Sequence, residues 1–191
     1  MTKQTYLLDL DGPVYNLDGP LDAFMEARGF PLQNPELYTL DTRYGIRKGD
    51  STGKEILTYF ITQKRALRDI PLFEGSLEAI KKLNDSGNLH IVTARGTYGE
   101  IAKQDTCERL LRECPFLSKE QILFEQEKGK QAKRLGITDS FEDWLINAND
   151  ILEKSNSHIH LIDKPYNQTS SHPRITRHNS LAEAVNSIIS F

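Results

Sequence analysis

Apolar runs alternate with amphipathic stretches along most of the chain. The runs are short and nearly continuous, as in strands buried on both faces, and the stretches between them repeat their apolar residues at helical spacing. The predicted strands cover residues 5–10, 89–93, 121–124, 140–142 and 158–162, and the predicted helices cover 76–87, 100–113, a short stretch ending at 136, 147–154 and the segment after 180. Strands that alternate with helices require crossover connections, so the pattern predicts an α/β fold with a parallel sheet covered on both faces.

Two capping boxes predict helix starts. Ser180 and Glu183 have the Ser-x-x-Glu spacing that satisfies the first free N–H groups of a helix, and one apolar stripe follows them. Thr52 and Glu55 have the equivalent Thr-x-x-Glu spacing and predict the start of a second helix.

Residues 15–72 have a different pattern. No buried-strand run occurs there, and the apolar residues of 20–29 recur at helical spacing before a glycine. We therefore predict an α/β core formed by residues 1–14 and 73–191, with a small helical cap of residues 15–72 inserted after the first strand.

The composition is that of an ordinary globular protein. The chain has 191 residues, 38% of them hydrophobic, with 24 basic and 27 acidic side chains and a net charge of -3. This balance gives no reason to expect a nucleic-acid polymer or a membrane as partner, and the absence of an apolar run or leader favours a cytoplasmic protein. Cys107 and Cys114 are expected to be small, half-buried hydrophobic residues. The sequence leaves open whether the chain forms a homodimer.

Polar residues follow four of the predicted strands. In chain order they are Asp9, Asp11, Thr93, Lys128 or Lys130, Glu142 and Asp143. Because ligands of parallel α/β sheets bind at the carboxyl ends of the strands, we expect these residues to surround one site.

Asp9 and Asp11 place two carboxylates at one strand end, where they repel each other unless a cation intervenes. Mg²⁺ binds one or two carboxylates together with a substrate phosphate, so it fits this pair. One carboxylate could then act as a nucleophile and the other as a proton donor and acceptor.

The segment 9–12, the strand end 91–93, a following lysine and the acidic pair 142–143 occur in one order along the chain. This ordered set resembles the four motifs of the haloacid dehalogenase superfamily, and the resemblance covers most of the chain. It implies a three-layer, Rossmann-like core with a helical cap of the first type (C1), inserted after the first strand.

The resemblance also implies the catalytic roles. Asp9 is expected to attack phosphorus and form an aspartyl-phosphate, while Asp11 protonates the leaving group and then deprotonates water. Mg²⁺ is expected between the Asp9 carboxylate, the Asp11 carbonyl oxygen and Asp143, with Glu142 as a further ligand or a neighbour. Asp163, which directly follows the 158–162 strand, is the alternative acidic ligand.

The phosphoryl oxygens are implied to be held by the Thr93 hydroxyl, by a lysine and by backbone N–H groups near Gly12 and Ala94. Lys128, Lys130 and Lys133 compete for the lysine role. We favour Lys128 because it directly follows the 121–124 strand and its acidic loop, fifteen residues before Asp143, and we keep Lys130 in reserve.

The substrate class is suggested by two segments. Residues 93–95 (Thr-Ala-Arg) and 41–45 look most like those of the 5′(3′)-deoxyribonucleotidases and related small nucleotidases, which implies a nucleoside monophosphate as the small phosphorylated substrate. Residues 41–70 hold seven basic and four acidic side chains, a net charge of +3 that would attract an anion. Four aromatic residues of the cap could stack on a base or fill its interior, and we expect at least half of them to be filling; these are Tyr15, Phe24, Tyr38 and Tyr44.

Other functions remain in competition. Pro13 lacks a backbone N–H where the superfamily often has Thr, and Asn16 stands where such nucleotidases often carry an acid, so a non-catalytic phosphate-binding protein is one alternative. A phosphatase for another small phosphometabolite is a second. The segment 49–55 resembles a P-loop, but its glycines are one residue too close and Glu55 replaces the required hydroxyl, which argues against a kinase.

Overall fold

A computed structural model describes residues 4–189 of the chain. Its sheet consists of β1 (Thr5–Leu8), β2 (Asn88–Thr93), β3 (Ile122–Phe124), β4 (Asp139–Glu142), β5 (His158–Ile162) and β6 (Ile175–His178). The strands lie in the order β3-β2-β1-β4-β5-β6, and every neighbouring pair is parallel. The predicted α/β fold with a parallel sheet is confirmed.

Eight α-helices accompany the strands in the described part of the chain. They are α1 (Asp18–Glu26), α2 (Leu40–Arg43), α3 (Thr52–Thr62), α4 (Ser76–Ser86), α5 (Glu100–Glu113), α6 (Lys128–Leu135), α7 (Leu145–Lys154) and α8 (Leu181–Ile188). Within residues 4–189, none of these helices combines the length and the apolar character that crossing a bilayer requires.

The alternation of side chains along β1 creates two apolar cores, one on each face of the sheet. Tyr6 and Leu8 join the larger core with residues of α4, α5 and α8, whereas Leu7 joins the smaller core with residues of α6 and α7. Successive side chains of a strand point to opposite faces, so an apolar run such as residues 5–8 must be covered on both sides. The result is three layers.

Strand order places a crevice between two strand ends. The chain builds β1, β2 and β3 outward in one direction and then returns to place β4 on the other side of β1. In open parallel sheets the connections diverge at such a reversal, and ligands bind in the crevice that this leaves outside the carboxyl ends. The segments after β1 and β4 therefore meet at the binding edge.

The sequence did not predict β6. Its four residues, Ile-Thr-Arg-His, include one aliphatic side chain and therefore lack a buried-strand run. β6 pairs with β5 alone, so a strand at the edge of the sheet forms here without the apolar composition of the central strands. β1 also ends earlier than predicted, at Leu8, because the Leu10 carbonyl accepts hydrogen bonds from Val14 and Tyr15 in a turn.

One predicted capping box is half formed and the other is wrong. Ser180 Oγ accepts from the Glu183 N–H, but the Glu183 carboxylate accepts from the Asn179 N–H instead of that of Ser180. Thr52 is already the first residue of α3, and Asp50 Oδ1 accepts from its N–H at 2.9 Å. The carboxylate two residues earlier satisfies the helix start that Thr52 was predicted to cap.

α1, α2 and α3 lie between β1 and α4, and no strand occurs among residues 16–71, all of which the structure describes. The segments before and after these helices are hydrogen-bonded to each other, since Asn16 N donates to Pro71 O and Phe73 N donates to Val14 O. The division into a core and a cap as separate units stays a prediction. Its ranges also include residues 1–3 and 190–191, which lie outside the described residues.

Both cysteines behave as expected. Cys114 is buried in the larger core, Cys107 is half-buried against it, and both are free thiols.

Candidate active site

Three buried carboxylates meet where β1 and β4 end. Asp9 directly follows β1, Glu142 ends β4 and Asp143 follows it, and the Asp9 N–H donates to the Phe141 carbonyl across the two strands. Carboxylate oxygens of the three acids all lie within 4.8 Å of one another. The structure therefore brings together residues 134 positions apart in the chain.

Lys128 pairs with two of these three acids. It is the first residue of α6 and is buried, with Nζ 2.8 Å from Asp9 Oδ1 and 2.7 Å from Glu142 Oε1. Lys130, the reserve candidate, is exposed and pairs with Glu127 at 2.6 Å. Of the two lysines, Lys128 is the one that the fold places in the cluster.

Negative charge exceeds positive charge in the cluster. Burial raises the pKa of Asp9, and the Lys128 ammonium only partly offsets it. Burial, together with the charge of Asp9, raises the pKa of Glu142 to about 8 and that of Asp143 to about 7. Burial alone would lower the pKa of Lys128, but Asp9 and Glu142 outweigh it and raise that pKa.

This donor set fits a hard divalent cation. Carboxylate oxygens are the ligands that Mg²⁺ prefers, and a single ammonium does not neutralise three buried acids. A cation held by Asp9 and Asp143 would relieve the repulsion that raises their pKa values.

Three neighbouring residues fix the position of Asp143. Gly12 has φ +94°, and a Cβ atom there would lie 1.9 Å from Asp143 Oδ2, so the carboxylate fills the space that a side chain would take. On the other side, the Tyr166 hydroxyl donates to the same Oδ2. Asn167 Nδ2 donates to the Asp143 carbonyl at 2.7 Å and to the Ile162 carbonyl at 2.8 Å.

Sequence reasoning missed Tyr166 and Asn167. They belong to a short 3₁₀ turn (Pro165–Asn167) just after β5. The signal available was positional, because the segment after β5 reaches the same edge of the sheet as the segments after β1 and β4. Asp163, the alternative acidic ligand, lies outside the acidic cluster and pairs with Arg177 at 2.6 Å.

Asp11 has a different environment from Asp9. Its carboxylate is outside the acidic cluster and pairs with Arg95, whose Nε lies 2.8 Å from Oδ2 and whose Nη2 lies 2.6 Å from Oδ1. The expected Mg²⁺ contact through the Asp11 carbonyl oxygen remains a prediction, as does its role in proton transfer.

The residues expected to hold phosphate surround one opening. Thr93, Ala94, Asp9 and Lys128 line a cavity of about 580 Å³. Thr93 is buried at the end of β2, and its Oγ1 accepts from the Arg95 N–H at 3.3 Å. The Gly12 N–H donates to the Tyr15 carbonyl, so this donor is already engaged within the turn.

A second cavity of about 270 Å³ lies towards α1 and α2. Both cavities are lined by Asp11, Tyr38, Tyr98 and Trp144. Tyr38 stacks on Trp144 with ring centroids 4.4 Å apart, at the boundary between the two spaces.

Most of the aromatic rings that we expected in the cap pack inside the protein, and some of the charged side chains expected there are already paired. Tyr15 and Tyr44 are buried, and the Phe24 ring packs 4.7 Å from that of Phe60, so the prediction that at least half would be filling is confirmed. Arg43 pairs with Asp22 at 3.0 Å, which reduces the charge that the +3 segment could offer a ligand.

A parallel α/β sheet with an acidic cluster and a buried lysine at its reversal point has the fold of haloacid dehalogenase-like hydrolases. The chain shares this fold with such a hydrolase from Streptococcus pneumoniae (TM-score 0.66, 13% identity, 98% of this chain and 99% of that one). It also shares it with CbbY from Rhodobacter sphaeroides, solved with phosphate (TM-score 0.56, 16% identity, 95% and 96%), and with a putative beta-phosphoglucomutase from Thermotoga maritima (TM-score 0.55, 12% identity, 97% and 98%).

A family model identifies the chain more specifically than the shared fold does. Residues 5–190 match the family described as 5′ nucleotidase, deoxy (Pyrimidine), cytosolic type C protein. The match spans nearly the whole chain, so the protein belongs to this family and is a nucleotidase-like phosphatase of the haloacid dehalogenase class. No curated protein sequence matches the chain significantly.

Proposed function

We propose that the protein is a Mg²⁺-dependent phosphomonoesterase that hydrolyses nucleoside or deoxynucleoside monophosphates through an aspartyl-phosphate. The observation that carries this proposal is the contact of the buried Lys128 with Asp9, beside Glu142 and Asp143. The ammonium of a lysine in this position can stabilise the transfer of a phosphoryl group to Asp9. It offsets the negative charge of the carboxylate and that of the phosphoryl oxygens.

The reaction divides into two transfers. In the first, an Asp9 carboxylate oxygen bonds to phosphorus, the ester P–O bond breaks, and a proton from Asp11 reaches the leaving oxygen. In the second, water bonds to phosphorus, its proton passes to Asp11, and the Asp9–phosphorus bond breaks with its electron pair returning to Asp9. Splitting one difficult displacement into two is the advantage of a covalent intermediate.

Asp9 and Asp143 are the residues that would hold Mg²⁺, with the Asp11 carbonyl oxygen as a third contact. When bound, the ion supplies charge neutralisation between an anionic nucleophile and an anionic phosphoryl group. Glu142 contributes mainly by orienting Lys128, since its Oε1 accepts from Nζ and its Oε2 accepts from Asn147 Nδ2.

Binding of the phosphoryl group is assigned to Lys128, Thr93 and the backbone near Ala94. These groups line the same opening as Asp9. One solved relative, CbbY, supports a small phosphorylated substrate, because its structures include one with phosphate and one with xylulose-(1,5)bisphosphate. The family description supports a nucleoside substrate and a cytoplasmic location.

The alternative of a phosphate-binding protein without turnover is supported by the loop after Asp11. Pro13 has no N–H, and the Gly12 N–H is bonded to Tyr15 O, so neither of these residues offers a free backbone donor. Such a protein would bind phosphate more weakly on the side of this loop and would release no product.

The two functions are separated by one set of assays. We expect wild-type protein with Mg²⁺ to release phosphate from nucleoside and deoxynucleoside 5′- and 3′-monophosphates, with sugar phosphates as a comparison panel. Chelation with EDTA and the substitution Asp9→Asn should each abolish release. Beryllofluoride should bind the Asp9 carboxylate as a mimic of the aspartyl-phosphate, detected as a mass increase of the native protein. Stabilisation by phosphate without turnover of any substrate would favour the binding protein, and steady turnover by D9N would refute the nucleophile.

A further inference from the structure

Arg95 holds the Asp11 carboxylate with two parallel hydrogen bonds. Nε and Nη2 donate to separate oxygens, at 2.8 and 2.6 Å. The Arg95 side chain is 2% exposed and that of Asp11 is 24% exposed, so the arginine is inside the protein and the carboxylate is at its boundary. Nothing assigned so far to the site uses this arginine.

The guanidinium is itself fixed from two directions. Its Nη1 lies 3.4 Å from Thr106 Oγ1 of α5, and its Cζ lies 4.9 Å from the centre of the Tyr15 ring. The same ring rests 4.4 Å from the guanidinium of Arg109, and its hydroxyl donates to Glu113 at 2.8 Å. A guanidinium clamped between α5 and the turn after β1 sets the plane in which Asp11 can lie.

The contact with Arg95 fixes the orientation of the Asp11 carboxylate and leaves some of its acceptor positions unused. The two N–H groups take one acceptor position on each oxygen, and an ionised carboxylate has about four such positions. Asp11 also lines both cavities, including the one that it shares with Asp9 and Lys128. The Asp11 side chain is partly exposed, so its remaining acceptor positions are accessible to a group bound in that cavity.

We propose that Arg95 is a positioning residue that orients Asp11 to take the proton of the attacking water; this rests on the proposed function. The step is the second transfer, in which water oxygen bonds to phosphorus, its proton goes to Asp11 and the bond to Asp9 breaks. A lysine cannot replace the arginine, because an ammonium is a point charge that leaves the carboxylate free to rotate.

The test is a burst experiment with 4-nitrophenyl phosphate and the variant R95K. Nitrophenolate leaves without a proton, so transfer to Asp9 continues when Asp11 is misaligned, whereas hydrolysis of the aspartyl-phosphate slows. We expect steady turnover to fall about 100-fold, within the usual contribution of proton transfer, while a burst approaches about one nitrophenolate per protein molecule. The phosphorylated protein should accumulate and be detectable by mass.

Arg109→Lys is the matched control, because it alters the other guanidinium on the Tyr15 ring and does not touch Asp11. Loosened packing slows both transfers together, so R109K should change turnover without enlarging the burst. The double variant D11N/R95K should turn over no more slowly than D11N, since a residue that acts through Asp11 has nothing further to lose.

Wild-type turnover by R95K, or reduced turnover without a larger burst, would overturn the positioning role and leave the proposed function intact. A wild-type protein that releases no nitrophenolate or phosphate would overturn the proposed function and this role with it. Circular dichroism checks the fold of each variant. If R95K is unfolded, Thr106→Val, which keeps Arg95 and removes the hydroxyl that contacts its Nη1, should enlarge the burst by a smaller amount. An unchanged burst would count against the proposal.

Discussion

Gly12 and Asp143 are packed so closely that no side chain fits between them. A Cβ atom on Gly12 would lie 1.9 Å from Asp143 Oδ2, and the backbone of Gly12 has φ +94°. The turn after β1 is therefore shaped by a carboxylate from the end of β4, which joins the first acidic motif to the last.

We predict that Gly12→Ala reduces phosphatase activity at least about 100-fold, because Asp143 must move and a misplaced catalytic group typically costs that much. Steady-state phosphate release with saturating Mg²⁺ measures it. Gly29→Ala is the control, since Gly29 also has a positive φ of +84° but no atom within 4 Å of the added Cβ. Similar activity in the two variants would show that backbone strain, not the contact with Asp143, causes any loss.

We predict that Lys128→Met lowers the free energy of unfolding by about 3 kcal/mol, because removing one partner of a buried ion pair leaves uncompensated charge. Urea denaturation in the absence of Mg²⁺ measures the change, and phosphate release should be lost as well. Lys130→Met removes an exposed lysine two residues away and should change stability by less than about 0.5 kcal/mol. Equal effects of the two substitutions would contradict the assignment of Lys128.

Asp143→Asn is expected to stabilise the protein without metal and to weaken its response to Mg²⁺. Burial and the charge of Asp9 raise the pKa of Asp143 to about 7, so this carboxylate is destabilising when ionised near Asp9. Thermal melting at pH 8 with EDTA and with Mg²⁺ tests both parts. Asp163→Asn, at a half-buried acid paired with Arg177, should retain the full Mg²⁺ stabilisation; loss of that response in D163N would favour Asp163 as the ligand.

The pH dependence of stability should depend on His178. Its ring is buried, with Nε2 3.1 Å from His160 Nδ1, and burial together with His160 lowers the pKa of His178 below its ordinary 6.5. A lowered pKa favours the neutral ring in the fold, so this contribution is present above about pH 6.5 and is lost as the pH falls through the folded-state pKa.

His178→Gln removes this titration and keeps a hydrogen-bonding side chain. Between pH 7.5 and 5, wild type should lose more stability than H178Q, because the lowered pKa of His178 makes protonation of the ring unfavourable in the folded state. The measurement is urea denaturation at several pH values. His172→Gln, at an exposed histidine, should follow the wild-type curve. Parallel curves for wild type and H178Q would refute the role of His178.

The strands and their polar ends followed from local pattern. A strand buried on both faces must be apolar along its length, so β1, β2 and β5 were recognisable from composition, and parallel strands must end at one edge. This reasoning also selected Lys128 over Lys130. β6 was not predicted, because an edge strand needs less apolar surface and its residues show no distinguishing pattern.

By itself, the sequence determined the α/β fold and the set of acids from which a site could be built. Only the tertiary structure decided which partners those acids have: Asp11 faces Arg95, 84 residues away, and Asp143 faces Tyr166. The local pattern of apolar and polar residues shows which side chains are buried and at what spacing they recur along the chain. Pairing between distant side chains depends on strand order and on the turns after each strand, and these are fixed only when the layers pack.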